Sequence, residues 1–202
     1  MRINIFGVRI SFSFLFLLLV SFGIVTSVQG QRVIMFALFS AVIHEIGHIV
    51  FITFLKEKPC SIDIGLYEVK INSNIDSCSF KEDLLITLAG VFFNFTLALI
   101  LWITSLSFDS LWIIELCLCS LCVGLINLVP IESFDGGQLV YIIISRLLSV
   151  KAANAIMMVT TIIFVFPFTI LGIYLLFSSQ YNFSLLFIAI YLLIFIFKKY
   201  LS

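Results

Sequence analysis

The chain has 202 residues, 62% hydrophobic and only 11% charged, with a formal net charge of zero and a mean hydropathy of +1.26. Soluble domains carry about 25% charged residues, so this composition excludes an ordinary soluble globule and places the chain in a membrane. Zero net charge also argues against an extended nucleic-acid surface.

A hydrocarbon core about 30 Å thick calls for helices of about 20 apolar residues. Apolar runs predict six of them, over residues 10–29, 33–55, 84–106, 111–129, 154–178 and 183–197. The expected fold is an all-α polytopic membrane protein: one membrane-embedded domain over 1–202, with a short membrane-associated β-strand region between the second and third helices. Arg2 and Arg9 resemble the charged start of a signal peptide. The apolar stretch that follows, Ile10 to Val28, exceeds the usual 7–15 residues or so, which favours a retained span. Between the second and third helices, Lys56 to Asp83 is the one long polar stretch. Within it, Ile62-Asp63-Ile64 and Val69-Lys70-Ile71 alternate with period two and predict one or two short strands, turning near Gly65 or Asn72-Ser73-Asn74.

Five cysteines, Cys60, Cys78, Cys117, Cys119 and Cys122, make an odd count without zinc-knuckle spacing. The last three fall in an apolar helix, where cysteine behaves as a small hydrophobe. With the amino terminus inside, the inner segments hold Arg2, Arg9, Lys56, Lys58, Lys70, Lys81, Arg146, Lys151, Lys198 and Lys199, leaving only Arg32 outside. That sorting obeys the positive-inside rule and puts both termini in the cytoplasm.

The second predicted helix contains His44-Glu45-Ile46-Gly47-His48, and these are the only two histidines in the chain. Residues four apart stack on one helix face, so both imidazoles can reach one metal ion with Glu45 beside it. A catalytic zinc takes three protein ligands and keeps one position open, so a third ligand is needed. The best candidate is Asp135, in the run Asn127-Leu128-Val129-Pro130-Ile131-Glu132-Ser133-Phe134-Asp135-Gly136-Gly137. Pro130 stops the fourth helix, and Gly136-Gly137 lets the backbone turn sharply so that Asp135 points back towards the second helix. Asn94 and Asn127 are polar residues inside apolar helices, suited to bonding a neighbouring helix or to orienting a substrate backbone.

A His-Glu-x-x-His helix followed by Asn-x-x-Pro-x-x-x-x-Asp-Gly resembles the site-2 protease family of intramembrane zinc metalloproteases, and in particular its compact six-span branch of sporulation sigma-factor-processing enzymes. The resemblance implies one catalytic zinc held by His44, His48 and Asp135, with Glu45 as general base and later proton donor, and Asn127 and Asn94 near the substrate. It implies a membrane-tethered protein substrate, cut at or near the cytoplasmic boundary to release a soluble fragment such as a transcription regulator, and a bacterial cell membrane as the location. Two positions depart from the family pattern: Ser133 stands near where a second proline is common, and Val91, in Gly90-Val91-Phe92-Phe93-Asn94, stands where the proline of Gly-Pro-x-x-Asn is usual. No PDZ-like insertion or carboxyl-terminal regulatory domain is expected. An ion transporter would also bury histidines and carboxylates, but no paired halves are evident, and transport does not require this residue order. A catalytically silent relative is disfavoured by the intact ligand set and glutamate.

Overall fold

The computed structural model describes residues 2–5, 8–12, 32–55, 61–64, 69–72 and 79–178. Its elements are strands β1 (Arg2–Ile5), β2 (Val8–Phe12), β3 (Ser61–Ile64) and β4 (Val69–Asn72), and helices α1 (Val33–Leu55), α2 (Phe80–Ser105), α3 (Leu111–Asn127), α4 (Asp135–Leu147) and α5 (Val150–Ser178). The backbone falls into two compact units, Met1–Asn127 and Leu128–Ser202.

In the first unit the strands pair in the order β1-β2-β3-β4. β3 and β4 run antiparallel, with Ile62 opposite Ile71 and Asp63 opposite Lys70. β2 runs parallel to β3, with Ile10 opposite Ile62. Residues 10–12, expected to begin the first helix, are therefore extended. The rest of that helix and the one expected over 183–197 lie outside the described residues.

Helices α1, α2 and α3 pack against one another. α1 has the bounds its apolar run predicts. α2 starts at Phe80, four residues before the predicted 84, because polar residues form its first turn: Ser79 N–H donates to Glu82 Oε2 at 2.8 Å, and Glu82 and Asp83 lie where the helix dipole favours acids. The interior of this trio mixes polar residues, Ser40, His44, Thr87, Asn94 and Ser120, with Ile52, Val91, Ile113 and Leu116, while Phe54, Phe92, Trp102 and Leu118 are exposed. Buried polar side chains beneath exposed large apolar ones suit an apolar solvent. Small residues allow close approach: a methyl group on Gly47 would lie 2.7 Å from the Ala89 carbonyl oxygen, and one on Gly124 would lie 2.8 Å from the Phe95 ring.

α3 ends at Asn127, two residues short of the predicted boundary, and Pro130 lies in the connection that follows. In the second unit the open loop expected around Asp135 is corrected. Asp135 is the first residue of α4, a 13-residue helix about 20 Å long and so too short to cross a bilayer. Gly136 and Gly137 are helical, and their lack of a side chain has a spatial reason. The preceding segment folds back over this turn, so that side chains here would collide with the backbone carbonyls of Leu128 and Ile131. Ile131 and Val165 form a small buried core flanked by Val129 and Phe134.

Among the described residues, three helical stretches are long and apolar enough to cross a membrane: Val33–Leu55, Phe80–Ser105 and Val150–Leu171. α3, with 17 residues, is a shorter apolar helix.

Candidate metal centre

His44 and His48 lie one turn apart on α1, and their Nε2 atoms are 3.2 Å apart. Each ring is held from behind by α2. His48 Nδ1 lies 2.8 Å from the Ile86 carbonyl. Because a carbonyl can only accept, Nδ1 carries the proton and Nε2 presents its lone pair towards His44. His44 Nδ1 lies 3.3 Å from Asn94 Nδ2, on a fully buried side chain. As placed, Nδ2 donates to His44 Nδ1 and Oδ1 is buried without a hydrogen-bond partner among the described residues; turning the amide end for end would give Oδ1 the His44 Nδ1–H and leave His44 Nε2 presenting a lone pair. Asn94 is itself fixed, since the Ser120 hydroxyl on α3 donates to its main-chain carbonyl at 2.9 Å.

With the amide turned in this way, two lone pairs would face each other at 3.2 Å and repel unless a cation lay between them, whereas with Nδ2 donating to His44 the same contact is an Nε2–H···Nε2 hydrogen bond. Nitrogens each about 2.0–2.1 Å from a tetrahedral zinc are separated by about 3.3 Å, so the pair fits one zinc. Imidazoles oriented through the opposite nitrogen are the usual support for such ligands.

Gly90 completes the arrangement. A methyl group there would lie 2.5 Å from His48 Nε2 and 2.7 Å from His44 Nε2. Ile86, Gly90 and Asn94 thus form a stripe at spacing four on α2: the first holds His48, the second leaves room for both rings, and the third holds His44. Asn94 was singled out in the sequence as a polar residue within an apolar helix. The roles of Ile86 and Gly90 had no such signal, because a backbone carbonyl and a missing side chain acquire meaning only opposite α1. Glu45 is half-buried on the turn that carries the histidines.

The other singled-out residues lie as follows. Asp135 is buried at the amino-terminal end of α4, in the second unit. Asn127 Nδ2 donates to the Val123 carbonyl of its own helix at 3.0 Å. Cys117, Cys119 and Cys122 are free thiols, with Cys117 donating to the Ala98 carbonyl at 3.2 Å and Cys119 to the Val33 carbonyl at 3.9 Å.

Residues 106–167 match peptidase family M50. That stretch, under half of the chain, is what is similar to the M50 family. It takes in α3, α4 and most of α5, including Asp135, and leaves out His44 to His48, whose case rests on the geometry above. The fold is similar to that of the site-2 protease from Methanocaldococcus jannaschii, with a TM-score of 0.70 over 95% of this chain and 91% of that one, at 22% sequence identity. No curated protein matches the chain in sequence. The chain is thus similar to the M50 family over residues 106–167 and shares the fold of a site-2 protease, and its apolar helices make it an integral membrane protein.

Proposed function

We propose that this protein is a zinc-dependent intramembrane endopeptidase, in which His44, His48 and Asp135 hold one catalytic zinc and Glu45 is the general base. The observation that carries the reading is the convergence of two imidazole Nε2 atoms to 3.2 Å within an apolar helix, each ring oriented through its Nδ1. Two imidazoles and a carboxylate suit zinc better than hard cations. Zinc, when bound, supplies Lewis acidity and lowers the pKa of a water at its open position to about 7. Glu45 takes the proton of the attacking water and delivers it to the departing amine. Asp135 is favoured as third ligand by its burial and by its place in the M50 region. Asn94 positions His44, and with Asn127 it orients the substrate backbone.

The substrate is a membrane-tethered protein. Its helix must unwind locally, since helical carbonyls are engaged in internal hydrogen bonds and shielded from water in lipid. β4 ends the sheet, and an unwound segment adds there as a further strand. Six spans in a single domain, with both termini in the cytoplasm of a bacterial cell, is the topology that the charge sorting favours. His48 lies in the half of α1 nearer Lys56, so the cut falls at or near the cytoplasmic boundary and releases a soluble fragment such as a transcription regulator.

Purification in detergent, metal analysis and incubation with a panel of single-span tethered regulators test this reading. One zinc per chain and fragment ends mapping near the cytoplasmic boundary are expected. Cleavage that persists at full rate after metal removal, or cuts confined to the external face, would contradict it.

A further inference from the structure

Within the second unit, the segment before α4 and the facing parts of α4 and α5 enclose a cleft of about 530 Å³, inside the range of roughly 300–1,000 Å³ typical of small-ligand sites. Glu132, Gln138, Tyr141 and Asn154 supply its polar lining, and Ile142 and Met157 supply apolar surface. Glu132 is the single charged residue among them, so an anion is disfavoured. A divalent cation is no better served, because one carboxylate among neutral groups is far from the oxygen cage that calcium takes, about six to eight ligands.

A lysine or arginine side chain satisfies every part of the lining. Its charge would be matched by Glu132, its remaining N–H groups have acceptors in the oxygens of Gln138, Tyr141 and Asn154, and its alkyl stem has apolar surface in Ile142. The cleft also adjoins the proposed zinc ligand on the same helix: Gly137 lines it two residues after Asp135. Tyr141 follows Asp135 by six residues, about 9 Å along the helix, a distance spanned by about three residues of extended chain. We infer that this cleft is a specificity site for a basic side chain of the polypeptide substrate, about three residues from the bond that is cut. The location relative to the cut rests on the peptidase reading; the preference for a cation rests on the cleft alone.

The test reads binding without catalysis. Full-length protein carrying Glu45→Gln is titrated in detergent with fluorescent single-span peptides that differ at one boundary position: lysine, norleucine or glutamate. The lysine peptide binds about ten-fold or more tightly than the norleucine peptide, as expected for loss of a charge-assisted hydrogen bond. Glu132→Gln removes that preference, and Glu132→Lys transfers it to the glutamate peptide. Equal binding of the lysine and norleucine peptides, or a lysine preference that survives both substitutions, would overturn the inference. Should the Glu132 variants fail to fold, a photoreactive lysine peptide added to protein with an unaltered cleft crosslinks within residues 138–142 or 154–157; crosslinks only elsewhere would overturn it. Displacement of the lysine peptide by phosphatidylethanolamine but not by phosphatidylcholine would overturn it too, marking a lipid-amine site. A lysine preference in binding, together with no cleavage by the wild-type protein, would count against the peptidase reading alone.

Discussion

The Nδ1–H of His48 donates to the main-chain carbonyl of Ile86, 2.8 Å away on the neighbouring helix. This bond sets both the tautomer and the direction of the ring, and it ties α1 and α2 together at the depth of the candidate metal. One turn further along α2, Gly90 faces the same two imidazoles without a side chain.

Gly90→Ala is expected to displace the rings, because its methyl group would lie 2.5–2.7 Å from their nitrogens. Alanine is the better helix former, so α2 itself keeps its structure. Zinc affinity should fall about 10–100-fold, the usual cost of disturbing groups that orient ligands. Chelator-competition titration alongside circular dichroism measures both; unchanged affinity would remove Gly90 from the site.

Asn94→Asp and Asn94→Leu should part company. Aspartate keeps an oxygen to accept the His44 Nδ1–H, whereas leucine leaves that nitrogen without its buried partner. Leucine should lower zinc affinity about 10-fold or more, with aspartate close to wild type. Equal losses in both variants would point to a packing role alone.

Glu45→Gln is expected to lower turnover by about 10²–10⁴ while zinc content holds, since the amide cannot take a proton yet is not a ligand. His44→Ala and Asp135→Ala should instead lose metal. Metal analysis of the three purified proteins separates the roles, and undiminished cleavage by the Glu45→Gln protein would exclude the proposed base.

Gly137→Ala should destabilise the second unit by about 1–3 kcal/mol, because the new methyl group runs into the Ile131 carbonyl. Thermal unfolding in detergent is the readout. A wild-type transition would mean that the segment before α4 yields freely.

For topology, Ser107→Cys and Ser149→Cys in a background without native cysteines place a thiol at exposed positions on either side of the proposed membrane. An impermeant maleimide added outside intact cells should label the first and spare the second. The opposite pattern would reverse the orientation derived from the basic residues.

α1 was legible because its apolar run is bounded by Arg32 and Lys56, and the histidine pair because its spacing alone brings both rings to one face. Asp135 was legible as a residue but not as a place. Asp-Gly-Gly after a proline reads as a turn, since glycine is a poor helix former, and only the backbone folded against Gly136 and Gly137 explains two glycines inside a helix. The Ile86, Gly90 and Asn94 stripe was half-visible: asparagine stands out in an apolar helix, but a main-chain carbonyl has no sequence. α2 was predicted to begin too late because its first turn is polar, and hydropathy marks where lipid is met rather than where helical hydrogen bonding begins.

Thr161 gives the segment before α4 an unusual attachment. Its hydroxyl accepts the Glu132 N–H at 3.1 Å and donates to the Met157 carbonyl of α5 at 2.7 Å, while Ile131 packs on Val165. The stretch that closes over Gly136 and Gly137 is therefore a passenger on α5, and α5 is a long apolar helix of the kind that tilts to match its surroundings. A thinner or thicker bilayer that changed this tilt is expected to move the segment that closes over the first turn of α4, the turn that Asp135 begins.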